Sequence, residues 1–259
     1  MTAPASDVAI EAIDVWKEYG HVQALRGASV RVHRGEIVAL VGDNGAGKST
    51  LLKAMCGAVA PDAGHVSIVG QPAELRSVRE AQALGVDVVY QDLALAPDLT
   101  VPESVFLGHE PLVRGWRRRI GLLARRQMAR EADEALRVLG IRLPSMSVRI
   151  RSLSGGQRQA VAIARAIKWA KNVILLDEPT AALGTRQTEI ALRTIRAVAE
   201  RGLGVLVISH DMPHMLELAH RIVVLRHGAV AAELPAREAT IPQIVGAMLG
   251  LHEVTNGSR

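Results

Sequence analysis

The chain has 259 residues, 31 Lys+Arg against 26 Asp+Glu for a formal net charge of +5, 49 % apolar residues and only 2 % aromatic ones. That length holds one large domain or two small ones with a core that needs no staples, and the apolar content excludes a disordered chain. One cysteine, Cys56, excludes an internal disulfide or a Cys-rich zinc site, and no apolar run reaches the roughly 18 residues of a membrane-spanning helix.

Met1–Asp7 lacks the basic flank and apolar stretch of a secretory signal, so a soluble, cytosolic protein is expected. The basic balance invites nucleic acid or an anionic membrane surface, and a solvated surface with a few extra arginines accounts for it as well. With so few aromatics there is no platform for stacking bases.

In chain order, strands are expected at Val8–Ile13, Ala28–Val32 and Ile37–Val41, the last apolar throughout as in a parallel sheet covered on both faces. Gly42-Asp43-Asn44-Gly45-Ala46-Gly47-Lys48-Ser49 follows and fits G-x-x-x-x-G-K-[ST], with a helical run Thr50–Cys56 after it. Strand, glycine loop and helix are the context this phosphate-binding motif requires. The glycines let backbone N–H groups curl around a phosphate, the helix N-terminus adds partial positive charge, Lys48 reaches the β- and γ-phosphates, and Ser49 offers a hydroxyl to Mg²⁺.

A strand at Val86–Tyr90 precedes Gln91, after which strand signals stop until Lys171. The intervening stretch reads as helices and loops, with a helix at Met128–Leu139 ending at Gly140 and a basic cluster from Arg114 to Arg119 with Arg125 and Arg126. That cluster suits anionic lipid headgroups or a plain solvated loop. Leu153-Ser154-Gly155-Gly156-Gln157 opens a further helix: Ser154 and Gln157 have the spacing of a capping box, and the two glycines leave N–H groups free for an anion.

The apolar strand Val173–Leu176 then runs into Asp177-Glu178-Pro179, two acids at the carboxyl end of a buried strand, where open α/β sheets bind ligands. Asp177 suits Mg²⁺, and Glu178, directed the other way along the strand, suits activation of a water. A helix carrying Ala191, Leu192, Ile195, Val198 and Ala199 precedes strands at Val205–Ile208, Ile222–Leu225 and Ala229–Glu233. The alternation of strands and helices predicts an α/β fold.

The LSGGQ segment lying between a phosphate loop and an LLDEP strand resembles the ATPase subunit of an ABC transporter, over essentially the whole chain. The resemblance implies an α/β P-loop NTPase (RecA-like) core with an N-terminal antiparallel β region and an inserted α-helical subdomain. The expected division is one ABC ATPase domain over 1–259, with the core at 1–91 and 172–259 and the helical subdomain at 92–171. It implies ATP and Mg²⁺ as cofactors: Gly42, Asp43, Asn44, Gly45, Ala46, Gly47, Lys48, Ser49 and Thr50 around the nucleotide, and Ser49, Gln91 and Asp177 toward the metal. Glu178, His210 and Gln91 take the catalytic positions, and Tyr19 the place of the aromatic that stacks on adenine, with Trp16 as competitor. Ser154, Gly155, Gly156 and Gln157 would touch the nucleotide held by a partner copy, in a head-to-tail homodimer.

The family usually has an aspartate where this chain has Gly184, and a glycine has no carboxylate by which one ATP site reports on the other. The stretch from Val89 to Val101, Phe106-Leu107-Gly108, Pro179–Gly184 and Ser209–Met215 are similar to monosaccharide importers of the ribose/fructose type. That likeness implies transmembrane permease partners, indirectly a solute-binding protein, no nucleic acid, and a peripheral place on the cytoplasmic face of the inner membrane. An ABC-type ATPase acting on nucleic acid, or one coupled to another solute or lipid, is the alternative. A GTPase is disfavoured because the Asn-Lys-x-Asp motif is absent.

Overall fold

A computed structural model describes residues 7–90, 92–113, 121–138, 140–181 and 183–251. Gln91, the Arg114–Arg119 cluster, Leu139 and Ala182 therefore lie outside the described residues. Two sheets stack. The larger has the order β10-β9-β3-β8-β7-β6, formed by β10 (Ala229–Pro235), β9 (Arg221–Arg226), β3 (Ile37–Val41), β8 (Gly204–Ile208), β7 (Val173–Asp177) and β6 (Val86–Val89). All its pairings are parallel except β9 with β10. The smaller is antiparallel, β2-β1-β4-β5, from β2 (Val22–His33), β1 (Val8–Tyr19), β4 (Ala63–Ile68) and β5 (Gln71–Ala73).

The apolar strands earn their continuous hydrophobicity by facing two cores. Val38 and Leu40 of β3, Leu175 of β7 and Leu206 of β8 point into the core shared with the antiparallel sheet and helix α1 (Lys48–Met55). Their neighbours Ile37, Ala39, Val41, Ile174, Leu176, Val205 and Val207 point to the opposite core. That second core is closed by α6 (Thr185–Glu200), α7 (Met212–Leu218) and α8 (Ile241–Leu249). This is the period of two read across a sheet covered on both faces.

Residues from α3 (Val101–Val105), α4 (Arg125–Val138) and α5 (Gly155–Trp169) build a third apolar cluster of their own. Met128, Ala132 and Leu136 of α4 are buried in it, as the helical spacing predicts, and Gly140 takes φ +70° where the helix stops. Among the described residues, no helix is long and apolar enough to cross a membrane.

Several features depart from the expected elements; β2, expected over Ala28–Val32, already begins at Val22. β1 continues past Ile13 to Tyr19, because bulges carry the strand through Asp14 at φ +48° and break the alternation that would have shown it. β4 and β5 have no counterpart among the expected strands: Ala63-Gly64-His65 is exposed, and three-residue β5 contains Pro72 on a sheet edge. The short helix α2 (Val78–Ala83), between β5 and β6, has no expected counterpart either. The helix after the glycine loop begins at Lys48, earlier than Thr50.

Arg221 joins the two sheets. Its Nε donates to Glu36 Oε1 at 2.9 Å, Nη1 to Glu233 Oε2 at 2.7 Å, and Nη2 to the Arg31 carbonyl of β2 at 2.5 Å. Replacing it leaves the largely buried Glu36 carboxylate with its His33 N–H contact but without its cation. Arg221→Met is expected to cost about 2 kcal/mol, read as a fall of about 4–8 °C in the midpoint of thermal unfolding.

Candidate nucleotide-binding site

The carboxyl ends of β3, β7 and β8 open onto one cleft of 770 Å³. Asn44, Gly45, Gly47, Lys48, Ser49 and Thr50 form one wall, Asp177, Glu178, Ile208 and His210 another, and Val22, Gln23 and Ala24 the rim. This is the crevice at the strand carboxyl ends, where neighbouring connections leave in different directions. The phosphate-loop and carboxylate residues expected from the sequence thus converge on a single space. Gly42, Asp43 and Ala46 belong to the same loop but do not face the cleft.

Close backbone approach explains the glycines. A Cβ at Gly42 (φ +155°) would collide with the Leu225 carbonyl, and one at Gly47 (φ +104°) would lie 2.5 Å from the Ala24 carbonyl oxygen. Lys48 Nζ donates to the Gly42 and Asp43 carbonyls at 2.7 and 2.8 Å. Burial holds the Lys48 ammonium below the ordinary lysine range, against the pull of the Glu178, Asp43 and Asp177 carboxylates. A desolvated cation at a helix N-terminus, beside exposed loop N–H groups, is built to receive phosphate oxygens.

The two acids diverge. Asp177 is the last residue of β7 and 9 % exposed; burial pushes its carboxyl above the usual aspartate range, while the Ser49 hydroxyl pulls it down. Glu178 does not continue the strand. It takes φ +52°, a left-handed conformation costing a non-glycine residue about 1–2 kcal/mol, with its N–H tied to the Ile208 carbonyl at 2.9 Å. The carboxylate therefore leaves by a turn, where simple alternation along the strand was expected, and meets His210. His210 Nδ1 lies 2.9 and 2.7 Å from the two Glu178 oxygens. Because a carboxylate only accepts, Nδ1 carries the proton of this bond and Nε2 is left for another partner.

Tyr19, 47 % exposed, pairs across the β1–β2 hairpin with Val22 of the cleft rim, while neither its ring nor that of Trp16 lines the cleft. Trp16 instead packs beside Gly27 and donates its ring N–H to Asp14 Oδ1 at 3.2 Å. Gln91 lies outside the described residues.

The Ser154–Gln157 segment is not brought to this cleft. It rims a separate 370 Å³ cavity between α5 and α6 that shares no residue with the first. The expected capping box is formed: Ser154 N–H donates to Gln157 Oε1 at 2.9 Å and Gln157 N–H to Ser154 Oγ at 3.3 Å. Gly184 caps α6 without a side-chain bond, and its φ of −75° is one any residue adopts. The role of Ala24, whose carbonyl abuts Gly47, had no signal in the sequence because it acts through its backbone.

Residues 25–181 match the family described as ABC transporter. The chain is 42 % identical over 242 residues to a fructose import ATP-binding protein of Rhizobium meliloti, covering 92 % of each. It is 40 % identical to a xylose/arabinose import ATP-binding protein of Sulfolobus acidocaldarius, covering 92 % of this chain and 93 % of the relative. Its fold superposes with a TM-score of 0.75 on the dimeric post-hydrolysis state of an ATP-binding cassette bound to ADP and Pi, at 27 % identity over 89 % of this chain and all of the other.

The electrostatics of Asp177 give a stability test. Its folded pKa lies above the unfolded value, so its stabilising share is full below the unfolded pKa and is lost as pH rises through the folded one. At neutral pH the ionised carboxylate opposes folding. Asp177→Asn is therefore expected to raise the melting temperature of the nucleotide-free protein at pH 7, with the gain disappearing below about pH 4, where the unfolded carboxyl is also protonated.

Proposed function

The chain belongs to the ABC transporter family, and we propose that it is the ATP-hydrolysing subunit of an importer for a monosaccharide, working as a head-to-tail pair on a separate permease. The observation that carries this reading is the division of its candidate site groups between two surfaces. Lys48, Ser49, Asp177, Glu178 and His210 share one cleft, while the capped N-terminus of α5 at Ser154–Gln157 belongs to another surface. A second copy turned head to tail would bring the second set to the first and enclose two ATP molecules. The dimeric cassette bound to ADP and Pi, and the sugar-import names of the relatives, support the pairing and the cargo.

In this reading the loop N–H groups and Lys48 hold the β- and γ-phosphates. The Ser49 hydroxyl and the buried Asp177 carboxylate are hard oxygen donors, the kind Mg²⁺ takes alongside substrate phosphates, and they fit that ion at the loop. Mg²⁺ there would neutralise the charge developing on the phosphate oxygens. Gln91, two residues past β6 in the chain, is assigned to this set by the family resemblance alone. Glu178 accepts a proton from water as the water oxygen bonds to the γ-phosphorus; the bond to the bridging oxygen breaks, and ADP and phosphate leave. His210, fixed through Nδ1 by Glu178, turns Nε2 to the γ-phosphate. Tyr19 stacks on adenine beyond the rim at Val22. The segment 92–115, at the start of the stretch that builds the third apolar cluster, passes the closure to the permease at the cytoplasmic face of the membrane.

Glu178→Gln is expected to retain ATP binding and ATP-dependent pairing but to hydrolyse about 10²–10⁴-fold more slowly. Near-normal turnover would remove Glu178 from the role. Co-purification from host membranes, followed by ATPase assays of the complex with individual pentoses and hexoses, tests the importer reading; no stimulation by any sugar sinks the monosaccharide assignment.

A further inference from the structure

Helices α5 and α6 both begin at the 370 Å³ cavity that the Ser154–Gln157 segment rims. That volume falls in the range of about 300–1,000 Å³ that holds small organic ligands. Ile141, Ile163, Leu183 and Ile190 give the cavity apolar walls. Arg142, in the loop after α4, and Arg186, in the first turn of α6, bring two exposed guanidinium groups to it, and no carboxylate is among the described residues that line it. The two helix starts touch, since a Cβ at Gly156 would lie 2.5 Å from Gln187 Cγ, and each adds partial positive charge.

The cavity also holds an orphaned donor. Gln159, 6 % exposed, lines it from α5, and its buried Nε2 has no hydrogen-bond partner among the described residues. The cap of α5 does not use this amide, being closed by Ser154 and Gln157. A buried N–H without an acceptor costs the fold about as much as a lost hydrogen bond, and an oxygen entering from the cavity would return it. Arg186 and Thr194 both line the cavity from α6, eight residues or about 12 Å of helix apart, which bounds the length of an occupant.

We propose that this cavity is a regulatory site for a small organic anion. The ligand has an apolar body up to about 12 Å long, a hydroxyl or carbonyl oxygen that accepts from Gln159 Nε2, and a carboxylate or phosphate head held by Arg142 and Arg186. The site shares no residue with the nucleotide cleft. Its consequence for turnover rests on the ATPase reading above: an anion held beside Ser154, Gly156 and Gln157 repels the phosphates that a partner copy would bring to them, so occupancy opposes pairing.

The test is calorimetric titration of the full-length chain with 6-hydroxyhexanoate and with 6-hydroxyhexyl phosphate, each with MgADP present to fill the phosphate loop. Hexanoate, which lacks the inner oxygen, and 1,6-hexanediol, which lacks the charge, are the comparisons. At least one hydroxylated anion is expected to bind with a Kd below about 5 mM, about fivefold or more tighter than hexanoate or the diol. The better of the two identifies the head group. Gln159→Leu should erase the advantage over hexanoate and raise the melting temperature of the empty protein by about 2 °C or more, because the orphaned donor is gone. Arg142→Ser/Arg186→Ser, at exposed positions, should erase the advantage over the diol. In Glu178→Gln with ATP, saturating probe should move the midpoint of pairing, read by light scattering, to about tenfold higher protein concentration. Absence of binding, binding that survives both sets of substitutions, a lowered melting temperature in Gln159→Leu, or pairing untouched by bound probe overturns the proposal. If Gln159→Leu does not fold, Gln159→Met is read in its place beside the arginine variant. Failure of Glu178→Gln to pair with ATP overturns the pairing reading and the regulatory consequence with it, while the titration still decides the site.

Discussion

Three stretches of backbone meet at the phosphate loop with no side chain between them, and the rest of the site hangs from that contact. Gly42 faces the Leu225 carbonyl of β9, Gly47 faces the Ala24 carbonyl of β2, and Gly228 faces Ala24 from the β9–β10 turn. Hydrogen bonds stitch the junction: Gly228 N–H to the Ala46 carbonyl at 2.9 Å and Arg26 N–H to the Gly228 carbonyl at 2.7 Å. A methyl group at any of the three glycines would push the sheets apart at the point where the loop must keep its N–H groups converging. The antiparallel sheet, remote in sequence from β9, is thus part of the machinery that shapes the loop.

The two groups of candidate site residues lie on different surfaces of the chain. The cleft forms where parallel strands end, so every group carried by β3, β7 and β8 arrives there together. The Ser154–Gln157 segment rides on α5, in the cluster that packs α3, α4 and α5 against one another, and opens beside α6. Among the described residues no arrangement within one copy joins the two. The head-to-tail unit proposed for this chain is in keeping with that separation.

Much of this was legible in the sequence because the signals were local. The glycine loop announced itself through its two flanks, the strand ends through uninterrupted apolar runs meeting acids, and the α5 start through the Ser154/Gln157 spacing. What stayed hidden depends on partners distant in sequence or on backbone conformations that side-chain type does not reveal. β4 is a strand because β1 pairs with it, although Ala63-Gly64-His65 carries no strand signal. The course of β1 beyond Ile13 is disguised by a bulge at Asp14. Arg165 reads as an ordinary polar position on an amphipathic helix; only the fold places it under two carbonyls that lie 71 and 72 residues earlier. Glu178 offers no hint of its left-handed backbone, which depends on the Ile208 carbonyl that receives its N–H.

That last residue bears on how such a chain drifts over generations. A glycine at position 178 would relieve the backbone of a conformation that glutamate adopts only at a cost, and selection for stability alone would steadily favour the exchange. Copies released from their task would be expected to lose the carboxylate early while keeping the glycine loop, whose close contacts the fold itself requires. On the roles proposed for the loop and for Glu178, chains of this fold with an intact loop but a relaxed residue after the β7 aspartate would then mark descendants that still fold and still hold nucleotide, yet have retired from turning it over.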